Sequence, residues 1–344
     1  MNTKKLDQTL FFSMTLDFLE IYLIKEKDGS AHTRKSYREA LSIFRRYVSS
    51  EKQCSIKTFR FLDCTYDFVL DYRNWLYDVK NCSASTANHR LAVLKSYIQY
   101  AAARDLAVQQ VALCVDEVPF LRVPKKLRPI LSKDHLSELF MLPKNTHLGR
   151  RDLMILVLLF DTAVRVEELV KLKIENVILF VMEPYILVEG KGDRERTVAL
   201  NSKTIALLKD YIEEFHTGNA HGPLFYTVIK GEKGRMSTRN VERIVKKYAD
   251  LLRNRIPGIP ESVYPHMFRR TRASGLYQDG VDISLISKVL GHSSIETTKD
   301  HYAIPSLEQK KAAMEKGSAC EPGVQQEQMW PDDEDELARI CGLT

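Results

Sequence analysis

Apolar residues recur at helical spacing through the first third of the chain, near residues 10–25 and again in HTRKSYREALSIFRRYVSS. In the second segment they form a single helical face, and basic residues surround it. The face consists of Tyr37, Leu41, Phe44 and Val48. Both segments predict helices of one N-terminal domain.

A third helix is predicted in SASTANHRLAVLKSYIQYAAAR. Ser83 or Ser85 is its expected N-cap, because a serine oxygen accepts a hydrogen bond from a free N–H of the first turn. Its apolar side consists of Leu91, Leu94, Tyr97 and Ile98. The same pattern leaves Arg90 and Lys95 exposed. We predict an all-helical domain over residues 1–117.

The stretch VPFLRVPKKLRPIL, residues 118–131, contains three prolines and four bases. Proline removes a helical N–H and fixes φ, so the stretch predicts an extended connector between two domains. Its bases are Arg122, Lys125, Lys126 and Arg128. Two interpretations stay open here: a solvated linker, and a segment that contacts phosphates.

Residues 132–316 carry mostly helical patterns and one β-hairpin. SKDHLSELFML predicts a helix capped by Ser132, and LGRRDLMILVLLFDTAVRVEELVKLK predicts a buried helix followed by an amphipathic one. YILVEGKGDRERTVAL predicts two short strands joined by a turn around Gly190, Lys191 and Gly192.

Helices resume at SKTIALLKDYIEEF and STRNVERIVKKYADLLR. Three more are predicted within residues 265–303, where Asp282 caps the middle helix and Gly291 ends it. The whole chain is therefore predicted to be mainly α with a small β-sheet (α+β), in two domains.

The composition is that of a globular protein: 344 residues, 44% hydrophobic and 28% charged. The longest apolar run, LMILVLLF, is far shorter than the about 20 residues that a membrane helix needs. The N-terminus lacks the apolar region of a secretion signal, and the six cysteines include no C-x-x-C pair. We expect reduced thiols, no metal site and no membrane contact.

Charge is divided unevenly along the chain. Residues 317–344 form an acidic tail with one base and seven acids, a net charge of −6. Residues 1–316 carry 50 bases and 38 acids, a net charge of +12. A basic body favours a polyanionic partner, because neutralised phosphates release counterions. Charge alone leaves nucleic acid and a merely solvated basic surface equally open.

Five motifs occur in order in the second domain: TAVRVEEL, GKGDRERTV, HMFRR, LGHSS and TTKDHYA. Each is weak by itself, since single arginines, histidines and tyrosines are mostly surface, cap or core residues. Together they resemble the tyrosine recombinase (phage integrase) family. The resemblance implies a two-domain C-shaped DNA clamp, with a helical core-binding (SAM-like) domain before the connector and a catalytic domain after it.

The resemblance also implies the roles of individual residues. The catalytic set is Arg165, Lys191, His266, Arg269, His292 and Tyr302, with Glu168 as a supporting acid. Two departures from the family pattern lie beside this set. Ala163 and Val164 stand where glycine and a larger apolar residue are common, and Arg270 replaces a frequent histidine. Neither departure changes a catalytic position.

A tyrosine nucleophile suits DNA breakage that conserves the energy of the phosphodiester, because Tyr302 would keep the phosphate as a 3′-phosphotyrosine ester. The guanidiniums of Arg165 and Arg269 would hold the charge of the non-bridging oxygens and replace a metal, so no cofactor is expected.

Proton transfer would fall to other residues of the set. Lys191 at the hairpin tip is the expected general acid for the departing 5′ oxygen, and His266 is the candidate acceptor of the tyrosine proton. His292 would donate a hydrogen bond to the phosphate. Glu168 would hold neighbouring side chains in place rather than react.

The resemblance and the basic body together predict double-stranded DNA as the partner. The predicted DNA contacts are Arg34, Lys35, Arg38, Arg90, Lys95, Arg122, Lys125, Lys126 and Arg128. The resemblance further implies a homotetramer on two paired recombination sites, which exchanges strands through a Holliday junction. Accessory recombination proteins are possible further partners. The protein would act in the bacterial cytoplasm, associated with the nucleoid.

Integration and excision of a bacterial mobile element is the preferred function. A chromosome-dimer resolving recombinase is an alternative, as are a type IB topoisomerase-like enzyme and a catalytically silent DNA-binding protein. The complete catalytic set argues against lost catalysis, and the separate helical domain and the C-terminal extension favour recombination over topoisomerase action. A metal nuclease fits worst, since no paired carboxylates suit two-metal chemistry.

Two helices are predicted after Tyr302, in PSLEQKKAAMEKG and in WPDDEDELARICGL. The second has acids in its first turn, where the helix dipole favours them, and Leu337, Ile340 and Cys341 on one side. Two interpretations stay open: a segment that docks on a neighbouring protomer, as is common in the family, and a disordered solubilising tail.

Overall fold

The computed structural model describes residues 9–124, 128–190, 195–218, 221–291, 295–296, 298, 311, 314 and 333–342. The chain divides into two compact units, Met1–Leu127 and Arg128–Thr344, and the division falls inside the predicted connector. Over the described ranges, no helix combines the length and the apolar character that crossing a membrane requires. The described elements are mainly helices with small antiparallel sheets, which confirms the predicted fold class.

The described part of the first unit is built from helices. They are α1 (Thr15–Asp17), continued by a π-helical segment (Phe18–Glu26); α2 (Ala31–Arg46), continued by Tyr47–Glu51; α3 (Tyr66–Asn74), continued by Trp75–Val79; α4 (Ala84–Ala102); and α5 (Gln109–Asp116). The Ser83 side chain accepts a hydrogen bond from the N–H of Thr86. Ser83 is therefore the N-cap of α4, which decides between the two predicted serines.

The predicted apolar faces of α2 and α4 are buried, except that Tyr37 is only partly buried. Their fully or almost fully buried residues are Leu41, Phe44, Val48, Leu91, Leu94, Tyr97 and Ile98. Phe11 packs against both helices, with its ring centroid 5.1 Å from that of Phe44 and 5.2 Å from that of Tyr97. The sequence analysis did not predict α3, whose buried residues are only Val69 and Tyr72.

Lys95 is buried, with only 9% of its surface exposed. Its Nζ donates hydrogen bonds to the carbonyl oxygens of Asp116 at 2.7 Å and Val118 at 2.8 Å. It also lies 4.7 Å from the ring centroid of Phe120. The prediction that Lys95 is exposed is wrong, because its ammonium is buried and holds the end of α5.

The first part of the connector is attached to the first unit. The guanidinium of Arg73 donates to the carbonyl of Pro119 at 2.8 Å. The side-chain amide of Asn88 makes two hydrogen bonds of 2.8 Å with the backbone of Leu121, one as donor and one as acceptor. Residues 118–124 contain no helix or strand, as their prolines predicted, yet these contacts hold part of them in place.

The second unit contains the remaining described helices and all the described strands. The helices are α6 (Lys133–Met141), α7 (His147–Asp161), α8 (Val166–Lys171), α9 (Ser202–Phe215), α10 (Thr238–Arg253), α11 (Pro265–Gln278), α12 (Ile283–Leu290) and α13 (Glu334–Ile340). The strands are β1 (Val177–Ile178), β2 (Tyr185–Glu189), β3 (Glu195–Ala199), β4 (Tyr226–Ile229) and β5 (Glu232–Arg235). The predicted caps Ser132 and Asp282 accept hydrogen bonds from the N–H groups of His135 and Ser284.

The predicted β-hairpin is confirmed, with Leu187 on β2 opposite Thr197 on β3. Strand β1 extends it to a three-stranded antiparallel sheet, and β4 and β5 form a second, two-stranded sheet that the sequence did not predict. The predicted buried helix is α7, in which Ile155 and Leu158 have no exposed surface. Its apolar run therefore forms the core of the unit.

The tail helix α13 begins after Asp333, whose side chain accepts a hydrogen bond from the N–H of Asp335. Three acids occupy its first turn, as predicted. Ile340 is 66% exposed, and none of the residues of α13 is buried. Docking of this helix on another protomer stays a prediction.

We predict that Lys95→Met lowers the free energy of unfolding by about 1–3 kcal/mol, because it leaves two buried carbonyl oxygens without their charged donor. Urea unfolding of the variant, followed by circular dichroism, measures the change. Lys35→Met is the matched control, since Lys35 is exposed on α2, and it should change stability far less. Equal effects of the two substitutions would contradict the structural role of Lys95.

Candidate active site

The described candidate catalytic residues all lie in the second unit, on segments that are far apart in sequence. Arg165 lies in the turn between α7 and α8, and Glu168 lies in the first turn of α8. His266 and Arg269 lie in the first turns of α11. Strand β3 and the end of α12 complete the site, because their residues contact Glu168 and Arg269.

The turn before Arg165 depends on an unusual backbone conformation. Ala163 has a φ of 51°, in the left-handed region that favours glycine. An alanine in this region costs roughly 1–2 kcal/mol, which explains why glycine is common there in the family that the sequence resembles. The turn directs the Ala163 carbonyl towards Arg269, whose Nη1 donates to it at 2.7 Å.

Glu168 lies between two guanidiniums and is only 6% exposed. Its carboxylate accepts hydrogen bonds from the backbone N–H of Arg165 at 2.7 Å and from Nη1 of Arg165 at 2.8 Å. Arg196 on β3 adds a bidentate pair, from Nη1 at 3.0 Å and Nη2 at 2.8 Å. The carboxylate thus joins the start of α8 to the β-hairpin.

Burial alone would raise the pKa of the Glu168 carboxyl, but the hydrogen bonds and charges of Arg196 and Arg165 outweigh it and lower the pKa from 4.5 to about 2. Glu168 is therefore ionised at neutral pH and unsuited to proton transfer. Because the folded pKa lies below the ordinary value, this stabilisation is present above pH 4.5 and is lost as the pH falls towards about 2.

Arg269 is fully buried. Its Nη1 bonds the Ala163 carbonyl, and its Nη2 donates to the carbonyl of Leu290 at 2.6 Å. Arg269 thus connects the turn before α8 with the end of α12. Arg165 differs, since 41% of its side chain is exposed. The two arginines are close to the same turn, but only Arg165 is accessible from solvent in this structure.

His266 is exposed in the first turn of α11, among positive charges. Partial removal from water, followed by the charges of Arg269, Arg270, Arg165 and Arg128, lowers the pKa of its imidazole from 6.5 to about 4. The ring is therefore neutral at physiological pH. A neutral imidazole can accept a proton, which is the role that the sequence predicted for it.

Arg270, which stands in the place of a frequent histidine, is 2% exposed. Its Nη1 donates to the carbonyl of Pro129 at 3.0 Å, and its Nη2 donates to the hydroxyl of Tyr264 at 2.7 Å. The neighbouring Thr271 accepts a hydrogen bond from the N–H of Leu131 at 3.1 Å. Arg270 is thus a structural residue that ties the end of the connector to α11.

Three predicted catalytic residues lie outside the described residues: Lys191, His292 and Tyr302. The predicted DNA contacts Lys125 and Lys126 also lie outside them. Among the other predicted contacts, Lys35, Arg122 and Arg128 are exposed.

The remaining predicted DNA contacts have partners within the first unit. Arg34 and Arg38 on α2 each form a 2.6 Å ion pair with Glu20, yet their side chains remain 37% and 54% exposed. Arg90 donates from Nη1 to the sulfur of Cys82 at 3.0 Å. These three side chains are therefore held in place, and their contact with DNA stays a prediction.

Arg196 is the residue of this site that the sequence analysis missed. It lies within the quoted motif GKGDRERTV, but it was not singled out. Its position in the strand could have identified it. Arg196 is two residues from the buried Val198, so the alternation of side chains along β3 places both on the inward face. A charged residue on that face indicates a buried partner, which is Glu168.

Comparison with known proteins supports the motif assignment. Residues 129–308 match the Phage integrase family, and residues 14–113 match the Phage integrase SAM-like domain. A tyrosine recombinase of Agathobacter rectalis is 27% identical over 307 residues, which cover 86% of this chain and 93% of the relative. Tyrosine recombinase XerC of Syntrophus aciditrophicus is also 27% identical, over 82% of this chain and 90% of the relative.

Two solved structures share the fold. XerH site-specific recombinase bound to its difH substrate aligns with a TM-score of 0.61 and 20% identity, covering 91% of this chain and 90% of the XerH chain. The Tn1549 transposon integrase in complex with circular intermediate DNA aligns with a TM-score of 0.64 and 16% identity, covering 87% and 98%. Since the family match alone spans more than half of the sequence, the chain belongs to the phage integrase family of tyrosine recombinases.

Proposed function

We propose that the protein is a site-specific DNA recombinase that cleaves and rejoins DNA through a 3′-phosphotyrosine intermediate. The observation that carries the proposal is the convergence of Arg165, Arg269 and His266. These side chains come from a turn and a helix about 100 residues apart in sequence. Arg269 bonds the carbonyl of Ala163, two residues before Arg165, and the charges of both arginines lower the pKa of His266. Two guanidiniums beside a neutral imidazole suit binding and transfer of a phosphoryl group.

In the proposed reaction, the hydroxyl oxygen of Tyr302 attacks the phosphorus of a DNA phosphodiester, and the bond from phosphorus to the 5′ oxygen breaks. His266 accepts the tyrosine proton, and Lys191 donates a proton to the leaving 5′ oxygen. The phosphate stays an ester throughout, so a 5′-hydroxyl of another strand can reverse the step without an external energy source. We propose that this chemistry requires no metal, with His292 donating a hydrogen bond to the phosphate.

The arginines differ in how they could reach the phosphate. Arg165 is partly exposed, and its Nη1 is oriented by Glu168. Arg269 has no exposed surface and bonds two backbone carbonyls. We therefore propose that the phosphate meets Arg165 first, and that Arg269 joins it only after a rearrangement uncovers its guanidinium.

The low pKa of His266 fits the same order of events. In the free protein, the surrounding arginines keep the imidazole neutral. A phosphodiester bound between these arginines brings a negative charge, which offsets their effect and raises the pKa of the imidazole. His266 would thus become a better proton acceptor when the substrate is in place.

We propose double-stranded DNA as the partner, with four protomers on two paired sites exchanging strands through a Holliday junction. The proposal is supported by the fold shared with XerH bound to difH and by the lambda integrase dimer bound to a COC′ core site, which aligns with a TM-score of 0.60. Integration and excision of a bacterial mobile element is the preferred setting, since a transposon integrase shares the fold. The relatives named XerC favour a second candidate, a chromosome-dimer resolving recombinase.

We predict that Tyr302→Phe binds DNA normally and forms no covalent adduct, because it lacks the attacking oxygen. Covalent complexes recovered from cells, followed by sequencing of the attached DNA, measure adduct formation and identify the site, which also separates the two settings. A nicked suicide substrate built from that site then repeats the test in vitro, with EDTA present to test metal independence.

Tyr226→Phe is the matched control, since Tyr226 is a tyrosine of the same unit whose hydroxyl donates to the carbonyl of Phe215 at 3.1 Å. It should form adducts like the wild type. Adducts formed by Tyr302→Phe would reject Tyr302 as the nucleophile, and a loss that EDTA causes in the wild type would reject metal independence.

A substrate with sulfur at the bridging 5′ position distinguishes the role of Lys191 from that of the arginines, since sulfur leaves without a proton. We predict that Lys191→Ala cleaves this substrate nearly as fast as the wild type. Arg165→Ala and Arg269→Ala should remain slower than the wild type by at least about 10²–10³, the loss expected for one transition-state donor. Single-turnover cleavage measures both effects, and rescue of Arg269→Ala without rescue of Lys191→Ala would identify a different general acid.

The connector bases are predicted to contact phosphates. Replacing Arg122, Lys125, Lys126 and Arg128 together by glutamine should weaken binding to every DNA sequence and flatten the dependence of log K on log salt by about 0.9 per lost contact. Filter binding across a salt series measures the slope. Replacement of the two arginines by lysine keeps the charge and should keep the slope. An unchanged slope in the glutamine variant would indicate that the connector is only a solvated linker.

A further inference from the structure

Arg196 makes the most enclosed ion pair of the described candidate site. Only 14% of its side chain is exposed, and the Glu168 side chain that it holds is 6% exposed. Its two terminal nitrogens bind the two carboxylate oxygens separately, a geometry that fixes the orientation of both groups. Arg165, at the start of the helix that carries Glu168, contacts the same carboxylate, so the orientation of Arg165 depends on a group that Arg196 holds.

The guanidinium of Arg196 also lies against the backbone of Gly291. A Cβ at position 291 would lie 2.8 Å from Cδ of Arg196, closer than real Cβ atoms approach, and 3.0 Å from Nε and 3.2 Å from Cζ, which are tight contacts. Gly291 also has a φ of 65° as the C-cap of α12. A side chain at this position would therefore be unfavourable for two reasons: the positive φ of the backbone and the close approach of Arg196.

Besides its contacts with Glu168 and Gly291, Arg196 is linked to the site through the backbone. Arg196 is part of β3, where it pairs with Val188 of β2, so its position sets the register of the hairpin whose turn includes Lys191. Gly291 directly precedes His292 in the sequence. One side chain therefore touches or belongs to three segments that carry predicted catalytic residues.

We propose that Arg196 is a positioning residue for the recombination reaction, which aligns Arg165 through Glu168 and holds the hairpin and the Gly291 turn in a fixed relation. This inference rests on the proposed function, because it assumes that Arg165 binds the scissile phosphate. Arg196 does not touch DNA in this assignment. Its contribution is to the rate of cleavage, with little effect on DNA affinity.

The proposal has a pH signature that a purely structural role lacks. The charged groups that face Glu168 are Arg165 at the start of α8 and Arg196 on β3. On α11, His266 is affected by the charges of Arg165 and Arg269, and Arg269 bonds the carbonyl of Ala163, two residues before Arg165. If Arg196 is replaced by leucine, burial of the carboxyl persists while half of its counter-charge is gone, so the Glu168 pKa rises and its protonation releases Arg165 as the pH falls.

The experiment measures single-turnover cleavage of the suicide substrate between pH about 5.5 and about 8.5. Arg196→Leu should be slower than the wild type by about 10²-fold, the loss that misplacement of a catalytic group by an ångström can cause. The loss should grow as the pH falls, and the Kd for DNA should stay within about twofold. In the double variant Arg196→Leu with Glu168→Gln, the added pH dependence should disappear, since the titrating carboxyl is absent.

Arg150→Leu is the matched control. Arg150 forms a bidentate pair with Glu214 in the same unit, with both distances 2.6 Å, but this pair is on the surface and touches none of the candidate residues that the structure describes. It should cleave like the wild type at every pH. Arg196→Lys keeps the positive charge but cannot bind both carboxylate oxygens as the guanidinium does. It should cleave slowly but lack most of the added pH dependence.

A second measurement uses the glycine contact. Gly291→Ala should slow cleavage more than Gly280→Ala, because both positions have positive φ but a Cβ at Gly280 meets nothing within 4 Å. The excess loss should shrink in the Arg196→Leu background, where the guanidinium is absent. Equal losses at the two glycines would reject the contact as a constraint.

The outcomes separate the proposal from its premise. If the wild type forms no covalent adduct, the proposed function fails. If the wild type cleaves and Arg196→Leu cleaves equally well, or loses the same factor at every pH, the positioning role is overturned. If Arg196→Leu does not fold, Arg196→Lys and the double variant decide, since the double variant removes both buried charges together. Wild-type cleavage rates in both of these variants would reject the proposal.

Discussion

The buried carboxylate of Glu168 is the interaction on which the described part of the catalytic unit depends. A carboxylate that is 6% exposed loses most of its hydration, and only several charged donors with good geometry compensate for that loss. Arg165 and Arg196 supply them, and each belongs to a different element. The requirement to satisfy one negative charge thus brings the α8 turn and the β-hairpin together. Loss of either arginine would leave the carboxylate with a single charged partner.

Helix α11 carries the next set of constraints. Arg269 bonds the turn before α8 and the end of α12, while Arg270 and Thr271 bond the end of the connector. Consecutive residues of this helix therefore serve both the site and the connector. A movement of residues 128–131 would therefore act directly on the helix that carries His266.

Much of this protein could be predicted from its sequence, because the relevant signals are local. Caps such as Ser83, Ser132 and Asp282, the alternation of the β2–β3 hairpin and the apolar face of α2 act within a few residues, so they need no knowledge of the fold. The order of the short motifs indicated the family, and the family match over residues 129–308 confirmed it. The roles of individual site residues were carried over by resemblance and are proposals for this chain.

The sequence by itself indicated the caps and apolar faces of several helices, though not α3, and which residues were candidates for the chemistry. The tertiary structure alone decided that Lys95 turns inward to the end of α5, that Arg269 is buried between two carbonyls, and that Arg196 pairs with Glu168. Each of these outcomes involves partners more than 20 residues away in the chain. A charged side chain is buried only where packing brings donors and acceptors to it, and that packing is a property of the whole fold.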